Sequence, residues 1–138
     1  MVDTPIIRVR GVRNQFGAQI VHQDLDLDIY RGEMLSIVGG SGTGKTVLLR
    51  QILGLLQPGK GTVEVLGQPA AAMGGEGAAS RVGMLFQQGA LFSAFNVLDN
   101  VAFPLRELGT LPRELVDAAA LVKLQMAGLK PEHATRMP

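Results

Sequence analysis

Cysteine and tryptophan are absent from this 138-residue chain, and tyrosine occurs once. Without cysteine there is no disulfide framework and no thiolate metal site, which fits a reducing compartment. Five phenylalanines and one tyrosine are too few to build the stacking platforms that hold single-stranded nucleic acid. Charge of one sign is lacking too. Thirteen Lys and Arg against twelve Asp and Glu leave a formal net charge of +1, so no global field draws a polyanion. Nucleic acid is therefore not an expected partner. No apolar run reaches the roughly 18 residues that a membrane helix needs. The opening Met1-Val2-Asp3-Thr4-Pro5 lacks the charged and apolar regions of a signal peptide. A cytoplasmic location is the expectation. At 46% apolar and 18% charged residues, the composition is that of one globular domain with a real core.

Glycine, by contrast, is plentiful and concentrated. Met34-Leu35-Ser36-Ile37-Val38 reads as a short buried strand. The chain then breaks into Gly39, Gly40, Gly42 and Gly44 before Lys45 and Thr46, and an apolar helical pattern follows from Val47 to Leu56. Gly39-x-x-x-x-Gly44-Lys45-Thr46 is a P-loop in its required context of strand before and helix after. Glycines allow positive φ and leave no Cβ between backbone and ligand. Successive N–H groups then form an anion nest, backed by the positive end of the helix dipole. Lys45 adds a mobile charge for the β- and γ-phosphates, and the Thr46 hydroxyl is a hard ligand for Mg²⁺. Ser41, Thr43 and Val47 complete the expected nucleotide-binding stretch, Gly39 to Val47.

Taken in order, Ile6 to Val12 reads as a first strand whose solvent face carries Arg8 and Arg10. Asn14-Gln15-Phe16-Gly17 reads as a turn. Strand pattern resumes at Gln19-Ile20-Val21, and Asp24 to Ile29 alternates strictly, with Leu25, Leu27 and Ile29 toward a core. Its three aspartates are read as a solvated face, because residues two apart on a strand lie roughly 7 Å apart and nothing converges them. Past the P-loop helix, Gln57 to Gly61 is a stop, Thr62 to Leu66 a short strand, and Ala70 to Ser80 a loop or weak helix. Arg81 to Phe86 reads as an apolar strand delivering Gln87 and Gln88. From Asn96 the pattern is helical. Asn96 caps a helix broken at Pro104, and a second begins near Leu111-Pro112 and closes at Gly128. The apolar stripe Leu115, Leu121, Val122, Leu124 and Met126 is expected in the core. His22 and His133 are isolated and read as incidental surface or turn residues.

These segments together resemble the nucleotide-binding subunit of an ABC transporter. The resemblance rests on Val9-Arg10-Gly11-Val12, Phe16-Gly17, Leu25 to Ile29, Arg31-Gly32-Glu33, the P-loop, Gly61-Thr62-Val63 and Gly83 to Gln87. Gly89-Ala90-Leu91-Phe92, Asn96 to Val101 and Phe103 to Arg106 are similar to the ATPases of Mla phospholipid-transport, or toluene-tolerance (organic-solvent-resistance), systems. The resemblance implies an α/β fold, a P-loop NTPase core with an N-terminal antiparallel β-subdomain. Residues 1–95 would belong to that core and residues 96–138 to the start of the helical subdomain. It implies that Phe16 stacks on adenine, in a position where tyrosine is commoner. Gln87 would be the Q-loop glutamine that approaches Mg²⁺ and the attacking water, and residues around 87–105 would contact membrane permease subunits. Lys45 and Gln87 are the expected catalytic residues, and Thr46 and Gln87 the expected metal ligands.

The family also carries an LSGGQ-type signature, a Walker B strand ending in Asp-Glu and a switch histidine. None occurs here, and Met137-Pro138 falls about where the signature would begin. The expectation is the N-terminal half of a longer protein. That protein would be an ATPase subunit at the cytoplasmic face of the inner membrane, pairing with a second ATPase subunit and coupling ATP to lipid transport across the bacterial envelope. The chain alone is expected to bind ATP without hydrolysing it. A P-loop GTPase or small kinase is the weaker alternative: strands precede the P-loop, and no guanine-specifying N-K-x-D is present.

Overall fold

Alternation of branched apolar with charged residues places Ile7–Phe16 (β1) and Gln19–Ile29 (β2) in an antiparallel hairpin. The computed structural model describes residues 4–74, 81–86 and 89–138. They divide into two units, Met1–Val82 and Gly83–Pro138.

In the first unit, Lys60–Val65 (β3) pairs with the other side of β1, and Gln68–Pro69 (β4) folds back on β3, giving the order β2-β1-β3-β4. Helix α1, Lys45–Ile52, packs on this sheet. The core is Val9, Val12, Leu48, Val63, Val65 and Ala70, with Leu25, Leu27 and Ile52 against it. Val9 and Val12 are fully buried, and each valine contributes about 1.5–3 kcal/mol by leaving water. On the solvent side, Arg10 grips Asp28 at 2.6 Å and Asp26 accepts from the Gly11 amide, also at 2.6 Å.

Several expectations shift here. The turn lies at Gly17-Ala18, and Asn14, Gln15 and Phe16 stay in β1. Phe16 pairs with Gln19 across a two-residue connection, while the Asn14 amide is drawn into a buried cluster rather than a turn. Helix α1 ends at Ile52, short of Leu56. Gly54 stops it at φ +71°, and a Cβ there would come within 2.2 Å of the Ala70 carbonyl oxygen.

Met34 to Val38 and Arg81 to Phe86 form no strands. Met34, Val38 and Leu85 are more than 90% exposed. A strand exists only through the ladder its neighbours complete, and these apolar runs find no such neighbours among the described residues. Ala70–Gly74 is a short 3-10 turn, and the rest of the Ala70 to Ser80 segment lies outside the described residues.

The second unit is built on Val97–Leu108 (α2) and Arg113–Met126 (α3). Asn96 caps α2 by accepting from the Asp99 amide at 2.7 Å. The Val97 and Leu98 amides, otherwise orphaned at the helix start, donate to the Arg136 and Ala134 carbonyls at 2.9 Å each. Pro104 does not break α2. It sits on the exposed face, while Ala102, Leu98, Val101 and Leu105 hold the opposite face against Val116 and Ala120 of α3. Arg106 adds two 2.7 Å ion pairs, to Asp99 on α2 and Asp117 on α3. Packing on the far face thus outweighs the lost hydrogen bond.

Of the expected α3 stripe Leu124 is buried, together with Val116 and Ala120, whereas Leu115, Val122 and Met126 are 53–74% exposed. Spacing of four puts the three buried residues on one face of the helix, and Val116 and Ala120 pack against α2. The helix closes as expected at Gly128, with the Leu129 amide donating back to Leu124 at 2.9 Å. The Phe92, Phe95 and Phe103 rings cluster with centroids 4.8–5.7 Å apart. The Asn100 amide secures their loop through the Phe92 and Phe95 carbonyls.

Candidate nucleotide-binding site

Residues Gly39 to Gly44 run as a loop into the N-terminus of α1. That terminus has no side-chain cap and no acidic residue in its first turn, so its leading N–H groups are left for an anion. Gly44 occupies the cap position at φ +93°. A Cβ there would lie 2.2 Å from Val21 Cγ1 and 2.5 Å from His22 Nε2, so only glycine brings the loop this close to β2. At Gly39 an added Cβ would come within 2.7 Å of Thr43 Oγ1. The Thr43 hydroxyl donates to the Gly40 carbonyl at 2.8 Å.

Lys45 folds over this loop. Its ammonium donates to the Gly39 and Gly40 carbonyls at 2.6 and 2.5 Å, with Thr43 Oγ1 at 3.4 Å. A cation, an uncapped helix start and a glycine loop thus converge on one exposed surface, a constellation suited to phosphate. Ser41 and Thr46 are exposed beside it, and Val47 is half-buried on α1. Among the described residues no group of three His, Cys, Asp or Glu assembles to hold a metal. The Thr46 hydroxyl nevertheless suits Mg²⁺, which is commonly held by few protein oxygens together with substrate phosphates. Phe16 ends β1 with its side chain 53% exposed, presenting a ring that a base can stack on. Gln87 lies outside the described residues.

Behind the loop lies a polar cluster that motif reading did not anticipate. Asn14, 4% exposed, and Gln51, 1% exposed, exchange two hydrogen bonds, at 3.1 and 2.7 Å. Asn14 Nδ2 also lies 2.8 Å from His22 Nδ1, and the Gly59 amide donates to Asn14 Oδ1 at 3.3 Å. His22 is therefore not incidental. Burial pushes its pKa below the ordinary histidine value, partly opposed by a hydrogen bond to the Gly44 backbone. Only Gln51, three residues after Leu48 on the buried face of α1, offered a signal in the sequence. His133 is likewise engaged, its Nδ1 accepting from the Lys130 amide at 3.2 Å.

The ABC transporter family model matches residues 22–137, spanning the loop, α1, α2 and α3. The chain belongs to the ABC transporter family. This ABC chain is 38% identical over 128 residues to the intermembrane phospholipid transport system ATP-binding protein MlaF of Haemophilus influenzae, covering 91% of this chain and 48% of that protein. It is 40% identical over 141 residues to the methionine import ATP-binding protein MetN of Ralstonia nicotianae, covering 96% and 40% respectively. The ATP-binding cassette MJ0796, in a dimeric post-hydrolysis state bound to ADP and Pi, superposes with a TM-score of 0.80 at 28% identity, over 96% of this chain and 61% of that one. The ABC chain thus has the ABC ATPase fold, with its antiparallel sheet, and spans about half the length, or less, of these curated relatives. None of its described helices is long and apolar enough to cross a membrane.

Proposed function

We propose that this chain is the nucleotide-holding part of an ABC transporter ATPase subunit that powers lipid transport across the bacterial envelope. The observation that carries the reading is the convergence of the uncapped α1 terminus, the Gly39–Gly44 loop and the Lys45 ammonium on one exposed surface. The loop amides and Lys45 bind the phosphates of ATP, and Phe16 stacks on adenine. Mg²⁺, when bound, neutralises charge on the phosphate oxygens, with the Thr46 hydroxyl and Gln87 as its protein ligands. Lys45 stabilises charge on the transferring phosphoryl group. Residues 1–95 form the ATPase core and 96–138 the start of the helical subdomain. Residues around 87–105 dock on permease subunits at the cytoplasmic face of the inner membrane, and a second ATPase subunit completes the assembly. Lipid as cargo follows the similarity to MlaF, against which the similarity to MetN is the competing indication.

Titration with a fluorescent ATP analogue tests the site. Lys45→Ala is expected to weaken Mg-ATP binding markedly, because its ammonium is the cation that spans the loop. Equal affinity in two folded chains would remove Lys45 from the site. For cargo, the complete subunit with its permease in proteoliposomes should show ATPase stimulation by phospholipid and not by methionine; the reverse would replace the lipid reading. The chain by itself is proposed to hold ATP without turning it over, since the given sequence has no Asp-Glu pair after the P-loop. A phosphate-release assay showing turnover that Lys45→Ala abolishes would refute that.

A further inference from the structure

We propose that His22 is a positioning residue of the phosphate loop, holding Gly44, and with it the first turn of α1, against β2 in the register that anion binding uses. The proposal rests on the phosphate-holding role given to the loop above. His22 acts through Gly44, against which its ring packs.

The hydrogen-bond logic fixes which nitrogen does what. A backbone amide can only donate, so the Asn14 atom facing the Gly59 N–H is Oδ1. The other amide atom, Nδ2, therefore faces the His22 ring, and its two protons go to His22 Nδ1 and Gln51 Oε1. Gln51 Nε2 returns a proton to Asn14 Oδ1 at 2.7 Å. Every polar atom of the two buried amides named here is matched, which leaves them one orientation. His22 Nδ1 is thereby an acceptor, and the neutral ring carries its proton on Nε2.

Nε2 is the atom packed on Gly44, 2.5 Å from where a Cβ would stand. With Nδ1 accepting from Asn14, the Nε2 proton is the one beside Gly44, and the Gly44 backbone favours the protonated ring. The Gly44 carbonyl accepts the first bond of α1, from the Leu48 amide at 2.9 Å. A displaced Gly44 therefore displaces the helix start, whose N–H groups face the anion. The chain of contacts runs from Gly59 and Gln51 through Asn14 and His22 to the cap of the phosphate-facing helix.

Glutamine and asparagine divide the two functions of the ring. His22→Gln keeps an N–H near the position of Nε2, and His22→Asn keeps a polar group near Nδ1 without the reach to Gly44. Binding of Mg-tripolyphosphate is measured by displacement of a fluorescent ATP analogue, beside urea unfolding of each chain. Both variants should be similarly destabilised, while affinity falls about tenfold in His22→Asn and stays within about threefold of wild type in His22→Gln, one hydrogen bond's difference. Equal affinities in the two variants, with Lys45→Ala still weakening binding, would overturn the positioning role alone. Unchanged binding in Lys45→Ala would overturn the phosphate site and this proposal with it. A long-range ¹H–¹⁵N spectrum of the wild-type chain needs no variant: an Nε2-protonated neutral ring is expected, and an Nδ1-protonated one would overturn the proposal.

Discussion

Gly44→Ala is the most incisive perturbation of the loop, because the structure separates its two costs. The residue sits at φ +93°, where an L side chain costs about 1–2 kcal/mol. The new methyl would also stand 2.2 Å from Val21 Cγ1 and 2.5 Å from His22 Nε2, so β2 or the loop must move. Overpacking of this kind costs about 1–3 kcal/mol, and the total is about 2–5 kcal/mol. Gly67 supplies the control: its φ is +77°, and a Cβ there meets nothing within 4 Å. Gly67→Ala should therefore cost only the conformational part, about 1–2 kcal/mol. Urea unfolding followed by circular dichroism gives both values, and triphosphate titration of the folded fraction gives the functional counterpart. Gly44→Ala should unfold at lower urea than Gly67→Ala and bind triphosphate more weakly, whereas Gly67→Ala should bind as wild type. Equal destabilisation by the two substitutions would mean that the contact between Gly44 and β2 is loose. The account of how the loop is held would then fail.

Phe16→Ala should weaken ATP by the roughly 1–3 kcal/mol that base stacking supplies while leaving inorganic triphosphate nearly unaffected. Identical losses for both ligands would make Phe16 structural. Burial holds the His22 pKa below its ordinary value in the folded chain, so the unfolded chain binds the extra proton first. Its stabilising contribution is therefore complete above the unfolded value of 6.5 and is lost as pH falls through the lower folded value. Urea midpoints measured from pH 8 to 5 should decline more in the wild type than in His22→Gln, and parallel curves would refute this. Arg106→Met cuts the 2.7 Å pairs to Asp99 and Asp117 and should lower the melting temperature of the helical unit by circular dichroism. A melting curve identical to the wild type's would show that apolar packing alone holds α2 to α3.

Local chemistry was legible along the chain wherever a residue's role depends on its immediate neighbours. The loop's glycines, Lys45 and Thr46 could be read as a phosphate nest because a P-loop is contiguous. Asn96 could be read as a cap because capping spans three residues, and Leu25 and Leu27 as core because alternation is local. What depends on partners far along the chain was not legible. Met34 to Val38 has the apolar pattern of a strand, yet forms no ladder, because a strand is a property of its neighbours. On α3, Val116, Ala120 and Leu124 are buried while Leu115 and Met126 are exposed, since the elements packed against a helix decide which side is buried. Asn14, His22 and Gln51 carry no motif at all. Their separations in sequence, 8 residues between Asn14 and His22 and 37 between Asn14 and Gln51, obey no periodicity. Only the closing of β1, β2 and α1 around one buried space turns three unrelated polar residues into a support for Gly44.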